Sequence, residues 1–315
     1  MMAIALFKKT RKTDGWLALV PQGERLAAAC VTRPDHARPA VQVAALIEGG
    51  AAPAGLEKAG RALLANTFQV STVLSGGHYQ LLSVDAPNVP PAELRTAVRW
   101  RLKDMLDFHI DDATIDVLDI PFDKTAAVRQ HAMFAVAARN SIIEQRQKQF
   151  ALAKIALRAI DIPEMAQRNI SALLETAGRG LAMLSFDADG GLLTVSFKGE
   201  LYLSRRIDVT LEQLLDPEHE RKHQRFEKIT LELQRSLDHF ERQFHFISVA
   251  RLLLAPSPVT GLEEYLSGNL YTPVERFDLA DVFDLAAVPE LAALDLQQQL
   301  FIALGAALRL EEKAL

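Results

Sequence analysis

The 315 residues exceed what one small core organises and suffice for two domains of ordinary size. Hydrophobic residues at 49% and charged residues at 24% describe a globular chain and exclude intrinsic disorder. A formal net charge of only -5 provides no global field to recruit nucleic acid or an anionic membrane. The sole cysteine, Cys30, has no internal disulfide partner, which fits a reducing compartment. No apolar run approaches the roughly 20 residues of a membrane helix, so a soluble protein is expected whose membrane role comes through a partner. Met1 to Phe7, followed by Lys8, Lys9, Arg11 and Lys12, carries its charge on the wrong side for a secretory signal. It reads as a frayed terminus, or as a short basic-hydrophobic arm able to touch anionic headgroups.

In chain order, Trp16 to Val20 and Leu26 to Thr32 read as strands joined by a turn at Pro21-Gln22-Gly23-Glu24, with Val41 to Ile47 as a third strand. Ala54 to Ala65 follows as a helix. Pro91 to Leu106 is an amphipathic helix with Pro in its first turn. Strands follow at Thr114 to Ile120 and His131 to Ala137. Helices Asn140 to Lys154 and Pro163 to Ala177 flank a strand from Ile155 to Ile160. A second meander then runs Leu181 to Phe186, the turn Asp187-Ala188-Asp189-Gly190-Gly191, Leu192 to Phe197, the turn Lys198-Gly199-Glu200, and Leu201 to Asp208. The apolar runs are nearly continuous, as in strands covered on both faces. The long charged helix from about Glu218 to Phe246 carries Phe226, Ile229, Leu233, Leu237 and Phe240 at three- and four-residue spacing, one buried stripe. A repeated three-strand meander with a helix after it predicts two related α/β domains with a cleft between them.

Several segments resemble those of a known family. Glu93-Leu-Arg-Thr-Ala-Val-Arg-Trp100 with Leu106-Asp-Phe-His-Ile110 resembles the inserted subdomain of PilM/MshI proteins. Leu231-Glu-Leu-Gln-Arg-Ser-Leu-Asp-His-Phe-Glu-Arg-Gln-Phe244 resembles their long second-domain helix. Ser204-Arg-Arg-Ile-Asp208 is similar to the end of their second meander, and Phe301-Ile-Ala-Leu-Gly-Ala-Ala-Leu-Arg309 to their closing helix. The resemblance is greater to MshI, the version associated with mannose-sensitive haemagglutinin (MSHA) pili. It implies an actin-like (ribonuclease H-like) two-lobed α/β fold with an inserted subdomain in the first lobe. The first lobe would span 1–165, with the insertion at about 75–130, and the second 166–315. It also implies a cytoplasmic scaffold of type IV pilus assembly, peripheral at the inner-membrane face. The partners implied are the short cytosolic tail of a PilN-like bitopic membrane protein and other pilus assembly proteins, with no nucleic acid. A tail added along a strand edge, or laid in a groove beside the insertion, would meet Trp100, Arg101, Met105 and Phe108; Trp100 also reads as core.

The same resemblance sets an expectation for nucleotide. Family members hold phosphates on two Gly-containing turns with an acid beside them, and adenosine against a Gly-rich stretch. Glycine is needed where backbone N–H groups approach phosphate closely. The first turn, around Gly23, lacks the Asp and the Ser or Thr, and adds Glu24, whose carboxylate would repel phosphate if desolvated. The second keeps Asp187, Asp189, Gly190 and Gly191, which also read as an ordinary hairpin turn. The adenosine stretch, Ala255-Pro-Ser-Pro-Val-Thr-Gly261-Leu262, carries two prolines that lack N–H donors. The expectation is therefore a degenerate cleft, no catalytic residue and no cofactor. The alternative is an actin-like ATPase or nucleotide switch of pilus or type II secretion assembly (GspL-like), holding Mg²⁺ and ATP through Asp187 and Asp189.

One further motif stands outside the resemblance. His219-Glu220-Arg221-Lys222-His223 matches the zinc-hydrolase pattern, with both histidines on one helical face and Glu220 as base. A third ligand, Glu241, would lie roughly 27 Å away along a straight helix at 1.5 Å per residue, so only a sharp turn could bring it back. The segment is polar on every side and reads as a solvated helix start. Cys30 reads as core, and the acidic-apolar stretch Val282 to Leu285 with Leu291 to Leu296 as lobe surface.

Overall fold

The computed structural model describes residues 15–34, 37–121 and 131–310. The basic-hydrophobic arm from Met1 to Lys12 lies outside the described residues. The first half runs β1 (Trp16–Gln22), β2 (Arg25–Thr32), β3 (Ala40–Ile47), α1 (Pro53–Ala62), β4 (Gln69–Val73), β5 (Tyr79–Asp85), α2 (Pro91–Leu102), β6 (Ala113–Asp119), β7 (Ala132–Arg139), α3 (Asn140–Leu152) and β8 (Leu157–Asp161). The second runs α4 (Pro163–Leu174), β9 (Gly180–Asp187), β10 (Gly190–Phe197), β11 (Glu200–Ile207), α5 (Leu211–Leu214), α6 (His219–Gln243), β12 (Val249–Leu254), α7 (Leu262–Asn269), β13 (Val274–Arg276) and α8 (Leu294–Ala307).

Two sheets share one topology. The order β3-β2-β1-β4-β8 in the first matches β11-β10-β9-β12-β13 in the second. In each, the meander strands pair antiparallel; one added strand pairs parallel to the first strand's open edge and the second pairs parallel to that added strand. The duplicated meander is thus the chain's organising unit. The sequence reading left out β4 and β5. β4 gains its ladder partners from β1 and β8, segments far away in sequence, so local pattern gives it little definition.

The cores follow from alternation. Leu17, Leu19, Leu26, Ala28 and Cys30 face outward from the first sheet against Leu56 of α1 and Phe150 of α3. Ala18, Val20, Ala27 and Ala29 face inward, into a central cluster shared with Ala166 and Ile170 of α4 and Leu300, Phe301 and Leu304 of α8. On the second sheet's other face the stripe Phe226, Ile229, Leu233, Leu237 and Phe240 is buried throughout, as its spacing predicts. Each such side chain is worth about 1.5–3 kcal/mol relative to exposure.

The packing departs from a single cut in the sequence. α8 lies in the central cluster against the first sheet, although the closing helix falls within 166–315. A cut at 165/166 would divide α4, which packs on β9, β10 and β11. α4 and α8 cross closely: Asn169 Nδ2 donates to the Gly305 carbonyl at 2.9 Å. The inserted subdomain reaches from β5 to β7, beyond the expected 130, with strand order β5-β7-β6 and α2 on one face. α2 ends at Leu102, short of Leu106.

Candidate functional site

Between the two meanders lies a cleft of about 430 Å³. One wall is the β1–β2 hairpin, with Gln22, Gly23 and Arg25. Opposite stands the β9–β10 hairpin, with Ser185, Phe186, Asp187, Ala188 and Asp189. The floor is the start of α8, with Gln298, Gln299 and Phe301; Ser75 and Pro256 close the sides. Gly23 occupies the left-handed region at φ +61, which the tight turn requires.

Several of the cleft's polar groups bond within the protein. Arg25 Nη1 donates to Gln299 Oε1 at 2.7 Å, and Gln22 Nε2 to the Gln299 carbonyl at 2.9 Å. Gln298 Nε2 donates to the Phe186 carbonyl at 3.0 Å. Gly76 N–H, in the loop after β4, donates to Asp189 Oδ2 at 2.6 Å, and Asp189 N–H to Asp187 Oδ1 at 2.8 Å. Burial pushes the Asp187 carboxyl up, and the neighbouring Asp189 charge adds to this. The backbone N–H groups of Asp189 and Gly190 work against it.

The expected nucleotide residues divide. Gly23, Asp187 and Asp189 line the cleft. Gly190 and Gly191 serve the fold: a Cβ on Gly190 would stand 2.8 Å from the Ile207 carbonyl oxygen, and one on Gly191 2.8 Å from the Phe186 ring. Gly261 caps α7 at φ +82 beside Phe226, away from the cleft. Glu24 does not act as expected. It is exposed and off the cleft lining, while the next residue, Arg25, faces in; adjacent hairpin residues point to opposite sides. Arg25, Gly76, Gln298 and Gln299 were missed. The Gln297-Gln298-Gln299 run was the visible signal, but only α8's return to the first sheet brings it to the cleft.

On the inserted subdomain, Trp100 is 72% exposed and does not belong to the core. Val98 and Leu102 of α2 are buried, and Trp100, two positions from each, falls on the opposite face. Met105 is exposed, and Arg101 lies 3.9 Å from Asp85. Phe108 is half-buried beneath the Arg139 guanidinium, 4.4 Å from its ring centroid.

The histidine pair starts α6, where the rings of His219 and His223 stack 6.3 Å apart. His223 also sits 3.5 Å from Glu227 and edge-on to Tyr265. α6 runs unbroken to Gln243, so the turn needed to return Glu241 to the histidines is not made. Among the described residues no group of three His, Cys, Asp or Glu side chains converges as metal ligands.

Two duplicated sheets, a cleft between their hairpins and an insertion in the first lobe define an actin-like two-lobed fold. No protein-family model matches the sequence, and no curated protein matches it. Among solved structures, the chain is similar to one described as a PilM-PilN type IV pilus biogenesis complex. The TM-score is 0.74 at 19% identity, over 94% of this chain and 98% of that one. This likeness supports the fold. Weaker similarity extends to an actin-like ATPase-fold protein of unknown function from Bacteroides thetaiotaomicron (TM-score 0.49, 10% identity, 92% and 100% of the two chains). It extends also to the cytoplasmic domain of EpsL, an inner-membrane component of the Vibrio cholerae type II secretion system (0.43, 12%, 65% and 76%). Neither of these two adds to the argument. Among the described residues no helix is long and apolar enough to cross a membrane.

Proposed function

We propose that the chain is a scaffold of a type IV pilus assembly machine, of the MSHA type, which binds the cytosolic tail of a PilN-like bitopic inner-membrane protein. The near-complete structural likeness to the PilM-PilN complex carries the reading. In this proposal the protein is cytoplasmic and reaches the membrane through that tail, and the cleft does not turn over nucleotide. The bonds of Gln22, Arg25 and Gln298 to protein acceptors, and of the Gly76 N–H to Asp189, support the second point, since they occupy donors and a carboxylate oxygen that phosphate or Mg²⁺ would otherwise use. The tail is proposed to meet Trp100, Arg101, Met105 and Phe108; exposure of Trp100 and Met105 supports the location.

The test is a titration of synthetic peptides spanning the N-terminal tails of candidate bitopic partners, followed by Trp fluorescence and calorimetry. Saturable binding that the paired changes Trp100→Ala and Arg101→Ala weaken at least about tenfold, as for anchor residues, is expected. Binding unaffected by both changes would refute the location, and no binding by any tail would refute the partner class.

A further inference from the structure

We infer that the inserted subdomain, together with Asp189, is a strap that holds the two lobes at a fixed angle with no ligand between them. The inference stands independently of the partner reading. The subdomain joins the first lobe covalently at both ends: β4 leads into β5 through a short loop, and β7 runs directly into α3, whose Phe150 is buried under the first sheet. Its three-stranded sheet has two apolar faces. Val84, Met133 and Ala135, with Leu82, Ile115 and Val117, face α2. The alternate residues Phe134 and Ile120, with Leu81, Leu118 and Ala132, belong instead to the second lobe's cluster, beside Leu184, Tyr202 and Leu203. The subdomain therefore has a covalent root in one lobe and a hydrophobic seat on the other.

Two polar clasps reinforce the seat, one on the loop that enters the subdomain and one at the start of β5. Asp189 of the β9–β10 hairpin accepts the Gly76 N–H at 2.6 Å, and its side chain lies where a Cβ on Gly76 would stand, 3.0 Å away. Three residues on, Tyr79 Oη donates to Glu164 Oε2 at 2.5 Å and accepts from Arg206 Nη2 at 2.7 Å. Arg206 Nη2 also donates to Glu164 Oε1 at 3.1 Å. Tyr79 begins the insertion, Glu164 starts α4 and Arg206 lies on β11, so the triad ties three elements. Glu164 is 1% exposed. Arg206 keeps about a third of its side chain exposed, so it is loss of Arg206 that would leave a buried, uncompensated charge, on Glu164. Burial, together with the Glu164 charge, raises the Tyr79 phenol, keeping it a neutral donor. Opening the cleft would thus expose the apolar seat and break both clasps, and nothing bound in the cleft is needed to keep it shut.

The experiment is an electron spin-spin distance measurement on the full chain, labelled at Lys58→Cys on α1 and Glu241→Cys on α6. Both positions are exposed, whereas the native Cys30 is buried. The expected result is one narrow distance distribution without ligand, unchanged by Mg-ATP. Asp189→Ala with Tyr79→Phe shifts it to longer distances, and adding Leu118→Glu shifts it further. Hydrogen exchange across β7 reports whether the subdomain stays folded. If the triple variant loses that protection, the double variant alone decides. A double variant as narrow as the parent overturns the inference, as does a broad parent distribution that Mg-ATP narrows.

Discussion

The crossing of α4 and α8 hangs on one atom's absence. A Cβ on Gly305 would stand 2.2 Å from the Ala166 carbonyl oxygen and 2.7 Å from its carbon, where ordinary contact begins at 3.4 Å. The obstacle is helical backbone, which cannot rotate aside, so Gly305→Ala must part the two helices by roughly 1 Å in a close-packed interior. Overpacking, including the backbone shift it forces, costs about 1–3 kcal/mol. Replacing Gly by Ala in a helix returns at most about 1 kcal/mol. A net loss of up to about 2 kcal/mol remains, increased by lengthening of the bond from Asn169 to Gly305. For a chain of this size the thermal midpoint falls roughly 2–4 °C per kcal/mol. The control is Gly268→Ala in α7, where nothing lies within 4 Å of the added carbon; its midpoint should hold or rise. Differential scanning calorimetry of the three proteins reads the comparison. A Gly305→Ala midpoint at or above the parent's, with Gly268→Ala behaving as stated, would refute the account of how the lobes pack.

Other expectations are as direct. Mg-ATP at 1 mM should leave the thermal midpoint in place; a site with Kd near 10 µM would add about 2.7 kcal/mol and move it by several degrees, reviving the nucleotide-switch reading. Asp187 has its folded pKa raised, so the folded state holds that proton more tightly than the unfolded one. Its stabilising contribution is present below the unfolded value, about 4, and is lost as pH rises through the folded value. The parent's midpoint should therefore lose ground against Asp187→Asn between pH 4 and 7, and parallel pH profiles for the two would contradict this. Burial pushes the Cys30 thiol up to about 11; a thiol reagent at pH 8 should leave it untouched until urea unfolds the chain, and rapid labelling of the native protein would show the first sheet open.

Much of the architecture was legible because local pattern and tertiary demand agree. The continuous apolar runs of the two meanders announce strands covered on both faces, and the Phe226-to-Phe240 stripe announces the helix that covers the second sheet. Where they failed to agree, the sequence misled. Trp100 reads both as an anchor and as core; Val98 and Leu102 claim the buried face of α2, so the core reading fails. Glu24 would repel phosphate only if desolvated, and the hairpin leaves it exposed while Arg25 lines the cleft.

By itself the sequence determined the duplicated meanders and the buried stripe of the long helix, because each rests on residue types at short spacing. Only the tertiary structure decided that α8 returns to the first sheet, that Gln298 and Gln299 face the cleft, and that Asp189 reaches Gly76. These pairings join residues more than a hundred positions apart, and they follow from which helix faces find mutual burial rather than from any local preference.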